Sequence, residues 1–467
     1  MLFNSYVFLF LFLPIVLLAW WVPRNLQLRL ALLVLASYVF YAGWDYRFCS
    51  LMFLTTVMDY LAAGRIARGR TPRERKGWLV AALVFNLGLL AYFKYAGFFA
   101  RSVNDVAHTM GLGAVAPALS IVLPLGISFY TFESMSYTID VYRGIAKPAK
   151  SFLHYMLFIS IFPKLIAGPI IRYTDVEDQY AELRERVDVE LMWRGVVFFV
   201  VGMVKKVLIA DQIAAHAAPL MGAAHPGIAE SWAIVGSYTL QIYFDFSGYS
   251  DMAVGLGYML GFRFPQNFNR PYIARNISEF WDRWHITFSR WLRDYLFIPL
   301  GGSRAGALRT LRNLFLVMFL GGLWHGANWT FVAWGVYHGT LLGIYHSSRM
   351  LRKRGVLRVP ELPGRVALVV TLLAVIFGWA LFLSPDFTTA WALVSGMVGA
   401  HGLGDASTLR VLTHPIAIIA FAWLAFVPEV WDWELVPRRR FAVGAAAVLV
   451  LCIMMLGGYS PFIYYQF

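Results

Sequence analysis

Two histidines stand in sequence that has little reason to tolerate them. His325 lies in LGGLWHGANWTFVAWGVYHG, and His285 lies in EFWDRWHITFSRWLRDY. An ionisable group at membrane depth is expensive and by default points to function. Burial lowers the pKa of an imidazole and leaves a neutral base near pH 7. Such a base can take the proton of a hydroxyl that attacks a thioester or an ester. Water-poor surroundings also protect an acyl group from hydrolysis. A structural role stays open: a buried imidazole can bond a backbone carbonyl between helices. Gly321, Gly322 and Gly326 strip bulk from around His325, so a backbone or ligand can approach closely. Asn328, three residues on, is expected on the same helical face, within reach of the imidazole or a substrate oxygen. Gly335, Gly339 and Gly343 continue at four-residue spacing, a tight helix-packing pattern. His338 is expected nearly opposite His325 on the helix, in a structural role. His346 reads as interfacial, and the other histidines have no supporting constellation.

The segment that carries His285, 264–312, is too polar to span a membrane and too aromatic for a loose loop. Trp281, Trp284, Phe288, Trp291 and Tyr295 recur at intervals of three and four, which predicts one face of one helix. Such a helix lies at the interface or re-enters a cavity. Around it the chain is 59% hydrophobic and 14% charged, against roughly 25% charged in soluble domains. A bilayer must solvate that surface. Candidate spans are 3–22, 30–44, 48–63, 78–99, 119–139, 152–171, 193–215, 231–261, 313–346, 366–384, 415–431 and 441–459. The expected fold is all-α and polytopic, with roughly ten to twelve crossings in a single membrane domain over 1–467.

The net charge of +14 is read as basic loops meeting anionic lipid head groups, not as a nucleic-acid surface. Basic runs at Arg65–Lys76, Arg349–Arg358 and Arg438–Arg440 mark the cytoplasmic side. Both termini are then expected outside. The N-terminal apolar run has no basic residue before it and no small-residue cleavage pattern, so it reads as a span and not a signal peptide. Residues 172–194 read as an amphipathic surface segment. Cys49 and Cys452, far apart, exclude a disulfide scaffold or a Cys-rich metal site.

Other chemistries fit less well. The chain has no G-x-S-x-G elbow and no Walker loop, and its histidines lack H-E-x-x-H spacing, so no metal is expected. Ser247 and Ser250 in YFDFSGYSDMAVGLG, with Asp245 and Asp251, offer a nucleophile or, equally, hydrogen bonds between helices.

The blocks LPLGISFYTFESMSYTIDVYRG, FPKLIAGPIIRY, QIYFDFSGYSDMAVGLGYMLGFRFPQNFNRPY, ISEFWDRWHITFSRWLRDYLFIPLGG and LGGLWHGANWTFVAWGVYHG resemble the membrane-bound O-acyltransferase (MBOAT) family. The likeness is greatest to the bacterial branch that O-acetylates alginate and other exopolysaccharides, and it covers nearly the whole chain. It implies helices around a central tunnel, a catalytic His325, and a second functional position at His285. It implies acetyl-CoA as acyl donor, with no permanently bound cofactor. Arg283, Arg290 and Arg293, with Arg304, Arg309 and Arg312 beyond them, are then candidates for the phosphates of CoA. The resemblance places the protein in a bacterial inner membrane, acetylating a periplasmic or extracellular polysaccharide directly or through a periplasmic acetyltransferase partner. The polysaccharide is expected to be alginate- or cellulose-like, and peptidoglycan is an alternative acceptor. A proton-coupled transporter or flippase and a secretion-complex scaffold are the competing classes.

Overall fold

The computed structural model describes residues 1–304, 306–357, 362–457 and 460–463. Arg358 and residues 464–467, to which a cytoplasmic and an outside position were assigned above, lie outside the described residues. All described regular elements are helices, as expected of a polytopic membrane chain. Leu26–Asp45, the run Pro72–Thr109 and Gly364–Leu383 are each long and apolar enough to cross a bilayer. Ala406–Thr413 and Pro415–Phe426, bent by 56°, together pass the same test. Other predicted spans are shorter or carry buried polar groups that dilute their hydropathy. The chain folds as two compact units that alternate along the sequence.

The first unit comprises Met1–Phe199, Asp251–Pro265 and Leu435–Ala445. Its helices start where local chemistry dictates. Asn25 accepts from Leu28 N at 3.1 Å, and Thr71 accepts from Glu74 N at 3.1 Å ahead of Pro72. Helix Ile127–Arg143 is buried on nearly every side, so its polar residues need partners inside the protein. Glu133 pairs with Lys164 and also accepts from Ile171 N at 3.1 Å. Asn86 holds both oxygens of Asp59, at 2.9 and 3.0 Å. The stretch 172–194 keeps Tyr173 and Tyr180 buried and most of its charges outward, which fits its amphipathic reading.

The second unit comprises Val200–Ser250, Gln266–Glu434 and Ala446–Phe467. It corrects three expectations. The aromatic segment is not one helix: Ile277–Arg283 ends, Trp284 and His285 break the path, and Ile286–Leu292 begins again. The span 313–346 is likewise two helices, Ala307–His325 and Trp329–Lys353, joined by Gly326–Asn328. Asn328 therefore does not share a helical face with His325. It caps the second helix by accepting from Thr330 N at 3.1 Å, and it donates to Pro385 O at 2.6 Å. The two helices meet through glycine: a Cβ on Gly322 would lie 2.3 Å from Phe331 O, and one on Gly335 would lie 2.4 Å from Met318 O.

This unit also buries two adjacent lysines in a π-helical turn, Val204–Ala210. Lys205 pairs with Glu429 at 3.2 Å; Lys206 pairs with Asp245 at 2.6 Å and Asp211 at 2.9 Å. Lys206 and Asp245 also hold the C-terminal segment, bonding Pro461 O at 3.2 Å and Ile463 N at 2.8 Å. Removing one member of a buried pair strands the other charge, at a cost of about 3–5 kcal/mol. Lys206→Met is expected to lower the thermal unfolding midpoint in detergent sharply; an unchanged midpoint would show that the pair contributes no net stability.

Candidate active site

His285 ends the break between the two short helices. Its backbone is left-handed, with φ 44° and ψ 54°. A non-glycine residue held there costs of order 1–3 kcal/mol, so the surroundings must enforce it. They do so with backbone and side-chain bonds. Ile286 N donates to Asn267 O at 2.9 Å. The imidazole Nδ1 lies 3.1 Å from Asn267 Oδ1, which also accepts from Thr287 Oγ1 at 2.9 Å. Asn267 Nδ2 in turn donates to Ser250 Oγ at 3.1 Å. This network assigns the proton to Nδ1 and leaves the basic lone pair on Nε2. The ring is completely buried, with Phe246 edge-on at 4.8 Å and Phe288 at 5.0 Å. His285 lies on elements too short to cross the membrane, and burial shifts its affinity for a proton downward.

His325 is the last residue of helix Ala307–His325, just before glycine lets the chain turn. Its ring is buried among Phe288 at 5.5 Å, Trp324 at 5.1 Å, Trp334 at 5.1 Å and Phe382 at 5.2 Å. Phe288 and Trp324, 4.3 Å apart, contact both histidines. Two imidazoles thus share the walls of one aromatic cluster. A dry cluster with an oriented base suits proton transfer to or from a hydroxyl and protects an activated acyl group from water.

The structure adds residues that sequence reasoning set aside or missed. His338 is not opposite His325 on a common helix. It belongs to the next helix and packs on Trp334 at 4.7 Å, one ring away from His325. Asn267 was missed, although an asparagine between Pro265 and Pro271 in a polar run signals a side chain that fixes backbone or partner. Ser250 takes the hydrogen-bonding reading, as a partner of Asn267. The three arginines flank the histidine. Arg283 is engaged by Glu279 at 3.0 Å and by Asn269 O at 3.1 Å, and Arg293 pairs with Asp294 at 2.7 Å. Arg290 is exposed. Among the described residues, no group of three His, Cys, Asp or Glu side chains is arranged to hold a metal ion.

Comparison with known proteins follows the same residues. The sequence profile of the membrane-bound O-acyltransferase family matches residues 146–357, which contain both histidines and Asn267. A probable alginate O-acetylase AlgI of Pseudomonas aeruginosa is 46% identical, over 91% of this chain and 80% of its own length. The chain belongs to the membrane-bound O-acyltransferase family. This acyltransferase is also similar to the peptidoglycan O-acetyltransferase of Helicobacter pylori, 35% identical over 86% of this chain and 81% of that one. The teichoic acid D-alanyltransferase of Bacillus subtilis is 29% identical over 58% of this chain and 71% of its own. In a multi-pass membrane acyltransferase, a buried aromatic cluster with two imidazoles is where the transfer chemistry is sought.

Asn267 offers a specific check on that geometry. Asn267→Ala strands a buried N–H, at a cost of about 1–3 kcal/mol. Acyl transfer is expected to fall about ten-fold or more, and Asn267→Asp, which keeps an acceptor, is expected to recover part of it. Equal rates for wild type and Asn267→Ala would remove Asn267 from the site.

Proposed function

We propose that this acyltransferase takes acetyl from acetyl-CoA at the cytoplasmic face of a bacterial inner membrane and delivers it for O-acetylation of an exported, alginate-like polysaccharide. Delivery is direct or through a periplasmic acetyltransferase partner. The observation that carries the reading is the 46% identity to a probable alginate O-acetylase, maintained over 91% of this chain. The site supports it. His325 takes the proton of the attacking hydroxyl as its oxygen bonds to the thioester carbonyl carbon. The C–S bond then breaks, and the proton passes to the departing CoA thiolate. His285, tethered through Asn267, positions or polarises a reactant. Both termini are assigned to the periplasm, and Arg290 with its basic neighbours to the phosphates of CoA.

A second acceptor is favoured by one observation, the 35% identity to a peptidoglycan O-acetyltransferase. The two readings separate in one experiment. A strain lacking the gene is expected to export polysaccharide without O-acetyl esters, measured by proton NMR, while its peptidoglycan keeps them. The reverse pattern assigns peptidoglycan as acceptor. Loss from neither overturns the proposal.

A further inference from the structure

Away from the histidines, the second unit holds a groove of about 750 Å³ between helices Trp329–Lys353 and Gly364–Leu383. Leu341, Ile344, Tyr345 and Ser348 line one side, at the three- and four-residue spacing of one helical face. Ala367, Val370 and Ala374 line the other side in the same way. Ile344 is 63% exposed and Val370 50%, so the described residues leave these parts of the wall open. Helix Gly364–Leu383 is itself apolar enough to cross a bilayer, so its wall belongs in acyl chains. One end of the groove has a different character. Arg275, Arg349 and Arg352 line it, with Glu279 as the carboxylate among the lining residues. Glu279 is already engaged by Arg275 N at 2.8 Å and Arg283 at 3.0 Å. Among the described lining residues, that end therefore carries three guanidinium groups against one carboxylate, next to an apolar wall that runs along the helices.

We propose that this groove binds an anionic phospholipid, with the phosphate on Arg275, Arg349 and Arg352 and an acyl chain along Ile344, Val370 and Ala374. Basic pockets between membrane helices recognise acidic lipid head groups by this combination of charge and apolar wall. A free phosphate compound would match the charge of this end but leave the apolar wall unused, which is why a lipid is favoured. The site also abuts the chemistry. Arg275 and Glu279 bracket the start of helix Ile277–Arg283, whose end leads directly to His285. Occupancy would brace the element that holds this histidine.

The test uses the purified full-length protein in detergent, mixed with phosphatidylglycerol or phosphatidylcholine, with retained lipid counted by native mass spectrometry. Phosphatidylglycerol is expected to be retained in preference. Each of Arg275→Gln, Arg349→Gln and Arg352→Gln is expected to weaken that retention about five-fold, leaving phosphatidylcholine unaffected. Val370→Trp keeps all three arginines but fills the wall, and is expected to weaken retention of phosphatidylglycerol as well. Equal retention of the two lipids by wild type would overturn the proposal. So would displacement of phosphatidylglycerol by inorganic phosphate or by coenzyme A, which would make the groove a site for a soluble phosphate compound. Because the readout is lipid binding, its failure leaves the acyltransferase reading intact.

Discussion

Replacing His325 with alanine is expected to abolish acetyl transfer while the protein still inserts and folds. A positioned general base contributes roughly 10²–10⁴-fold to rate, and the loss should fall in that range or below detection. The expectation rests on where the imidazole sits. It closes helix Ala307–His325 and is buried among Phe288, Trp324, Trp334 and Phe382. Folding is checked by the elution profile in detergent and the thermal midpoint of the variant. His325→Gln, which keeps polar atoms near the same volume, should be equally inactive if proton transfer matters and partly active if only packing does. Wild-type acetylation in His325→Ala would refute the role.

A larger structural loss is expected from Gly322→Val. A Cβ at Gly322 would stand 2.3 Å from Phe331 O and 2.9 Å from Gly335 Cα. Both are backbone atoms, so no side-chain rotation relieves the clash and the two helices must part. Overpacking of this kind costs about 1–3 kcal/mol and sometimes more. His325 is three residues further along the same helix, so the displacement reaches it. Expression or thermal midpoint and acyl transfer should fall together. Two neighbours serve as controls. A Cβ at Gly321 would meet Leu292 Cδ1 at 3.4 Å, ordinary contact, and one at Gly343 would meet nothing within 4 Å. Gly321→Ala and Gly343→Ala are expected to fold and function. Equal damage at all three would mean that glycine acts here through flexibility and not through close approach.

These contrasts show how much was legible beforehand. The glycine spacing at 335, 339 and 343 read as tight packing, but contact depends on the crossing point, and only the structure shows that Gly343 lies beyond it. His325 and His285 were visible because an imidazole in apolar sequence is rare. The break at His285 was not, because aromatic residues at intervals of three and four continue through it. The aromatic rings on both sides of the break are buried, so periodicity alone cannot distinguish one helix from two. Nor does a histidine with left-handed backbone announce itself as a glycine would. The break after His325 was signalled by Gly-Ala-Asn, a turn followed by an asparagine cap. Reading Asn328 as a helical-face residue passed over that signal. Lys205 and Lys206 in VGMVKKVLIA carried the same intramembrane-charge warning as the histidines, yet their partners, Glu429, Asp245 and Asp211, are too distant in sequence to pair by inspection.

The most direct measurement is transfer itself, in sealed proteoliposomes holding the purified protein. Acetyl-CoA labelled on the acetyl group is supplied on one side and an alginate oligosaccharide on the other, with a candidate periplasmic acetyltransferase added in parallel reactions. Wild type is expected to release CoA thiol in step with label appearing as alkali-labile ester on the oligosaccharide or the partner. His325→Ala is expected to show neither. Label accumulating inside the vesicles without thiol release would make the protein a transporter, and thiol release by His325→Ala at the wild-type rate would place the chemistry elsewhere.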